Sequence, residues 1–182
     1  INGTTDWVYE EEFAITKAYD WSPGGEYLAF LRFDETCVKE FNMTYHYDLY
    51  PELYTFKYPK AGEDNSKVTL HVVKSKNGRG REIDLGAYEY IPRLKWSNVE
   101  NKLMALTLNR HQNQLKYHWI DATQRKMPSK VVYEETDEAY VEIDDNLLFL
   151  EDGQHFMRTS EQDGYNHIYK INLNGKKQQI TK

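Results

Sequence analysis

Three stretches of this chain repeat one plan, and that repetition narrows the fold class more than any other feature. Ala18-Tyr19-Asp20-Trp21 runs through Ser22-Pro23-Gly24-Gly25 into Glu26-Tyr27-Leu28-Ala29-Phe30-Leu31-Arg32-Phe33. Arg93-Leu94-Lys95-Trp96 runs through Ser97-Asn98 into Leu103-Met104-Ala105-Leu106-Thr107-Leu108, and Leu147-Leu148-Phe149 through Glu151-Asp152-Gly153 into Phe156-Met157-Arg158. Each is a strand end with an aromatic, a turn and a second strand. The second and third copies continue into further aromatic strands, Gln114 to Ile120 and His167 to Leu173, the last closed by the hairpin signal Asn174-Gly175. Short β-rich runs between turn signals are the habit of all-β sandwiches, barrels and propellers. Recurrence at about 40–50 residues per four-stranded sheet points to a β-propeller, because a sheet that is apolar on both faces must stack on a neighbour. Trp21 and Trp96 lie 75 positions apart and Trp96 and Phe149 only 53, so the first interval holds an insertion, placed at Cys37 to Asp64. The expectation is all-β: about three blades over residues 21–182, with Lys76-Asn77-Gly78-Arg79-Gly80 a strand connection and Trp21 and Trp96 in blade cores.

Residues 1–20 read differently. Trp7 to Ala18 holds helix formers without Gly or Pro, Asp6 stands where an N-cap belongs, and acids follow in the early turns. A short helix is expected there. On such a helix Glu10 shares a polar stripe with Asp6 and Lys17, whereas Glu11 shares a face with Trp7, Ala14 and Ala18, and Glu12 one with Val8, Ile15 and Tyr19. Carboxylates set among apolar neighbours are costly without a cation or donors. Glu11 and Glu12 should therefore have a partner, and the residues leave it open between a structural Arg or Lys and a ligand cation.

Other chemistries find little support. A net charge of −6 argues against a broad grip on nucleic-acid phosphates or anionic lipid. The six histidines show no zinc spacing and Cys37 is alone, so no metal site, cofactor or disulfide is indicated, and Cys37 reads as a buried structural thiol. No serine sits in a G-x-S-x-G elbow, and no apolar run approaches the ~20 residues that span a bilayer. A first residue that is neither an initiator Met nor part of a signal peptide makes the chain read as an excised segment.

Asp6-Trp7-Val8-Tyr9-Glu10-Glu11-Glu12, then Trp21-Ser22-Pro23-x-Gly25 and Tyr58-Pro59-Lys60-Ala61-Gly62, resemble in order and spacing the dipeptidyl peptidase IV family of serine peptidases. The resemblance extends more loosely through Glu161 to Tyr169 and on to Lys182, so it covers essentially residues 1–182. It implies part of an eight-bladed propeller that caps an α/β-hydrolase domain, with the triad beyond Lys182 and a substrate-orienting Arg before Ile1. It implies that Glu11 and Glu12 hold the α-ammonium of a peptide whose N-terminal X-Pro or X-Ala dipeptide is released. The partners implied are peptides with a free N-terminus, the hydrolase domain of the same parent chain and a second copy in a homo-oligomer. The segment around Tyr140-Val141-Glu142-Ile143 departs from the family pattern, so no role is carried over to it. Few cysteines point to an exported, periplasmic or cell-surface bacterial parent. The competing reading is a propeller-type interaction scaffold with no peptidase role.

Overall fold

The computed structural model describes residues 1–182. One helix, α1 (Trp7–Phe13), precedes β1 (Tyr19–Trp21) and β2 (Tyr27–Asp34); a hairpin of β3 (Glu40–Tyr45) and β4 (Glu52–Lys57) is followed by β5 (Lys67–Lys74) and β6 (Gly80–Glu82). The second group is β7 (Tyr90–Trp96), β8 (Lys102–Leu108), β9 (Gln114–Asp121) and β10 (Ser129–Thr136). The third is β11 (Leu148–Phe149), β12 (His155–Ser160), β13 (His167–Asn172) and β14 (Lys177–Gln179). They form three four-stranded antiparallel sheets, ordered β1-β2-β5-β6, β7-β8-β9-β10 and β11-β12-β13-β14, which are the three expected blades. The β3–β4 hairpin is a separate two-stranded sheet inserted between paired strands β2 and β5, at the expected place.

The recurrent aromatic-turn segment closes each first hairpin in the same way. Ser22 N–H donates to Tyr27 O, Ser97 N–H to Lys102 O and Leu150 N–H to His155 O, at 2.8–2.9 Å. Turn chemistry follows: Gly25 takes a positive φ of 70°, and the Ser22 hydroxyl accepts from Tyr27 N–H at 3.0 Å. At the β5–β6 connection Gly80 is required, since a Cβ there would lie 2.1 Å from Val72 O.

Burial follows position in the stack. In β8 every residue from Leu103 to Leu108 is buried, because the second blade is covered on both faces; β2, in the first blade, alternates buried with partly exposed positions. Trp96 is buried, packs on Tyr27 and donates from Nε1 to Asp20 O at 2.9 Å. Phe149 packs the same way on Trp119 of the blade before it. Trp21, at the equivalent position of the first blade, is 48% exposed, contrary to the expectation of a core residue. The position faces the preceding blade, and the described chain has none before β1. Cys37 is half-buried rather than buried, its thiol donating to Asn65 O at 3.2 Å.

α1 is shorter than expected. Ala14 takes a left-handed φ of 53° and ends it. Residues beyond Ala14 are drawn away by extended pairing with the N-terminal segment: Thr4 bridges Lys17, Ala18 N–H donates to Gly3 O at 3.1 Å, and the Thr5 hydroxyl donates to Ile15 O at 2.9 Å.

A buried histidine makes the second blade sensitive to acid. His118 lies between the hydroxyls of Thr107 (2.9 Å from Nε2) and Ser129 (3.2 Å from Nδ1), and burial, with Lys116 nearby, lowers its imidazole to about 4. Above pH ~6.5 both folded and unfolded chains hold it neutral. As pH falls from there toward 4, the unfolded chain takes up a proton that the folded chain refuses, so stability falls by up to about 3 kcal/mol. Urea unfolding at pH 7, 6 and 5 should show this slope, and His118→Gln should reduce it, leaving the share of His71, whose imidazole burial also lowers. Asp121 titrates at lower pH: burial opposes its ionisation, but donors from Lys102, Thr123 and Gln124 hold it well below the usual carboxylate range. An unchanged slope in the variant would assign the sensitivity elsewhere.

Candidate functional site

Seven residues are too few for a helix that stands alone, and α1 is held by contacts from three other segments. At its start Asp6 is the N-cap: one carboxylate oxygen accepts from Tyr9 N–H at 3.0 Å and the other from the Ser66 hydroxyl at 2.5 Å. In its middle, Tyr9 is buried edge-on against Phe33 and its hydroxyl accepts from Ile91 N–H at 2.8 Å. At its end, Arg93 Nη1 donates to the Phe13 carbonyl at 2.8 Å, while Nε and Nη2 reach the two carboxylate oxygens of Asp145 at 2.6 and 3.4 Å. Val8, Tyr9 and Phe13 are buried beneath, and Trp7 packs on Tyr58 with ring centroids 4.3 Å apart.

This leaves Glu10, Glu11 and Glu12 on the outer side, all three exposed. The expectation that Glu11 and Glu12 lie among apolar neighbours does not hold. Ala14 ends the helix, so Ala14, Ile15, Ala18 and Tyr19 do not continue its faces. No Lys, Arg or His of the chain forms an ion pair with Glu10, Glu11 or Glu12. Within residues 1–182, then, no structural cation answers them. The charge of Glu12 is felt nearby, at Tyr90, whose hydroxyl is raised first by burial and further by the carboxylates of Glu89 and Glu12.

Topology sets the surroundings. α1 enters the first strand of blade one, residues 83–89 enter that of blade two and residues 137–147 that of blade three, so these connections share one end of the stack. The loops there touch: Asn65 donates to Glu89 and to the Tyr90 hydroxyl at 2.7 and 2.9 Å, and Val141 N–H to Gln112 O at 2.8 Å. Two clefts open among them. One, of about 660 Å³, is lined in part by Asp64, Asn65, Glu89 and Arg110. The other, of about 280 Å³, has Arg158, Glu135 and Ser160 in its wall, with Tyr140 and Val141 also lining it. Glu11 and Glu12 line neither cleft. Nor do any three His, Cys, Asp or Glu side chains gather as metal ligands.

The whole chain, residues 1–182, matches the family described as dipeptidyl peptidase IV (DPP IV) N-terminal region. The chain belongs to that family. In dipeptidyl aminopeptidase B of Saccharomyces cerevisiae, 35% of residues are identical over 185 positions, covering 92% of this chain and 22% of the yeast protein. The crystal structure of Porphyromonas gingivalis dipeptidyl peptidase 4 superposes with a TM-score of 0.91 at 38% identity, over 100% of this chain and 26% of that one. The chain thus spans about a quarter of the length of the relatives it matches. Within this dipeptidyl peptidase IV N-terminal region, the Asp6–Glu12 motif is where sequence reasoning put its weight. Arg93, Asp145 and Ser66, which hold the motif in place, were missed. They lie 52 to 80 positions from their partners or from each other and carry no local signal.

Proposed function

We propose that this chain is the substrate-recognising propeller portion of a dipeptidyl peptidase IV-like serine exopeptidase, and that Glu11 and Glu12 hold the α-ammonium of the peptide. The observation that carries the reading is a pair of adjacent carboxylates on a helix tied at start, middle and end, with no cationic side chain of the chain answering them. An ammonium offers three N–H donors and a positive charge, and two carboxylates satisfy both through charge-assisted hydrogen bonds. Anchoring the N-terminus at a fixed distance from a nucleophile admits two residues before the scissile bond, which makes the enzyme release dipeptides, X-Pro or X-Ala. The nucleophile belongs to an α/β-hydrolase domain of the parent chain; residues 1–182 contain no G-x-S-x-G elbow.

Exposed carboxylates bind a cation weakly in water, because the Coulomb term at high dielectric is small. The facing domain has to exclude water for the pair to act at strength. The parent enzyme should therefore cleave Gly-Pro and Ala-Pro reporters with a free N-terminus and cleave their acetylated forms at least tenfold more slowly. Residues 1–182 alone should cleave neither and should bind Ala-Pro only at millimolar concentration or above by calorimetry. Equal cleavage of free and acetylated reporters by the parent would remove the ammonium anchor. Self-association of the parent is part of the same proposal, and the exposed Tyr47, Leu49, Leu53 and Tyr54 of the β3–β4 hairpin form one apolar surface available to it.

A further inference from the structure

We infer that Arg93 is the positioning residue of the Glu11–Glu12 pair, acting through the Phe13 carbonyl and held in turn by Asp145; this rests on the ammonium-anchor reading above. α1 has only seven residues, and its last turn is where Glu11 and Glu12 sit. Carbonyls at a helix end have no intrahelical donor, and a cation placed there also meets the negative end of the helix dipole. Arg93 supplies both at Phe13, the residue directly after Glu12, with Nη1 2.8 Å from the carbonyl oxygen. The same Nη1 donates to Pro92 O at 2.8 Å, and Asp145 takes Nε at 2.6 Å, so the guanidinium is fixed in its plane rather than free to follow the helix. Its side chain is largely buried, whereas Asp145 is exposed. The fork thus links three separate pieces of the molecule: strand β7, the end of the glutamate helix, and the 137–147 connection.

A planar fork with several directed donors suits this role; an ammonium at the same place is a point charge without that geometry. Arg93 itself touches no substrate in this scheme. It decides where the two carboxylates stand. Lys95 provides a control, since it is also on β7 and donates from Nζ to Leu147 O, at 2.6 Å, in the same connection, but makes no hydrogen bond to α1.

The test uses the full-length parent with Arg93→Ala, Arg93→Lys, Asp145→Asn, Lys95→Ala, Glu11→Gln and Glu12→Gln. Amide hydrogen exchange over Glu10 to Phe13 is measured with KM and kcat on free and acetylated Ala-Pro reporters. Arg93→Ala is expected to speed exchange in that segment at least tenfold. It should raise KM for the free reporter at least fivefold with kcat within twofold, and change the acetylated reporter less than twofold. Arg93→Lys should recover part of the KM loss, Asp145→Asn should show a smaller loss of the same kind, and Lys95→Ala should show none. Unchanged exchange in Arg93→Ala overturns the inference, and so does an equal loss on both reporters or the same KM rise in Lys95→Ala. If Glu11→Gln and Glu12→Gln lose activity on the free reporter alone while Arg93→Ala does not, the inference falls and the anchor stands. If neither glutamate variant discriminates between the reporters, the anchor falls and the recognition role of Arg93 goes with it.

Discussion

In the full-length parent, Glu11→Gln and Glu12→Gln should each lower kcat/KM for a free Ala-Pro reporter at least tenfold, and Glu10→Gln should leave it within about twofold. Glutamine keeps the size and most of the hydrogen-bonding capacity but removes one negative charge. Hydrogen bonds to a charged group contribute about 1.5–3 kcal/mol, and 1.36 kcal/mol is tenfold in rate. All three side chains are exposed and free of ion pairs within this chain, so none of the substitutions breaks a structural contact. Circular dichroism should show the three variants folded alike. The acetylated reporter has no cation to hold, so it should be poor for the wild type and lose little more in the variants. Equal losses at the three positions would show that the acids act as a general field, and equal losses on both reporters would show that they act on something other than the ammonium.

What was legible in the sequence was local. The recurrent strand-turn-strand plan depends on turn residues and near neighbours, and the blades and the place of the insertion follow from it, while the Asp6 N-cap follows from the helix signal that begins there. The end of α1 was not legible, because Thr16 to Ala18 are acceptable in a helix and are drawn out of it by pairing with Gly3 and Thr4. The burial assigned to Glu11 and Glu12 failed with it, since helical spacing was continued past the residue where the helix stops. Trp21 and Trp96 stand at equivalent places in the strand-turn-strand plan and are opposite in burial; the presence of a sheet on the facing side separates them. The ties that hold the motif, Asp6 to Ser66, Tyr9 to Ile91 and Phe13 to Arg93, join residues 60 to 82 positions apart. Nothing in the local sequence of either partner announces such a pair.

The same holds for the contact with the largest expected effect on stability. Glu135 of β10 and Arg158 of β12 are both buried at the junction of the second and third blades, with Arg158 Nη1 3.1 Å from Glu135 Oε2. That approach has the distance of an ion pair without the alignment of a hydrogen bond, for Nη1 has no hydrogen-bond partner. The other groups complete the site: the Ser160 hydroxyl donates to Glu135 Oε1 at 2.7 Å, Arg158 Nε donates to Thr159 O at 2.6 Å, and the guanidinium lies over the Tyr117 ring at 5.4 Å. Removing one member of a buried pair leaves an uncompensated charge in a poor dielectric and costs about 3–5 kcal/mol, whereas replacing both with apolar residues of similar volume is often neutral or stabilising. Glu135→Leu and Arg158→Met should therefore each destabilise strongly. At about 2–4 °C per kcal/mol for a domain of this size, each single change should lower the Tm by about 6–20 °C, and the double variant should return to within a few degrees of the wild type. Thermal unfolding of the wild type, both singles and the double, followed by circular dichroism, gives the coupling directly. Small, additive losses would mean that water entering the adjoining cleft already solvates the charges, and that the blades are held together by the stacked rings of Tyr117 and Phe156 instead.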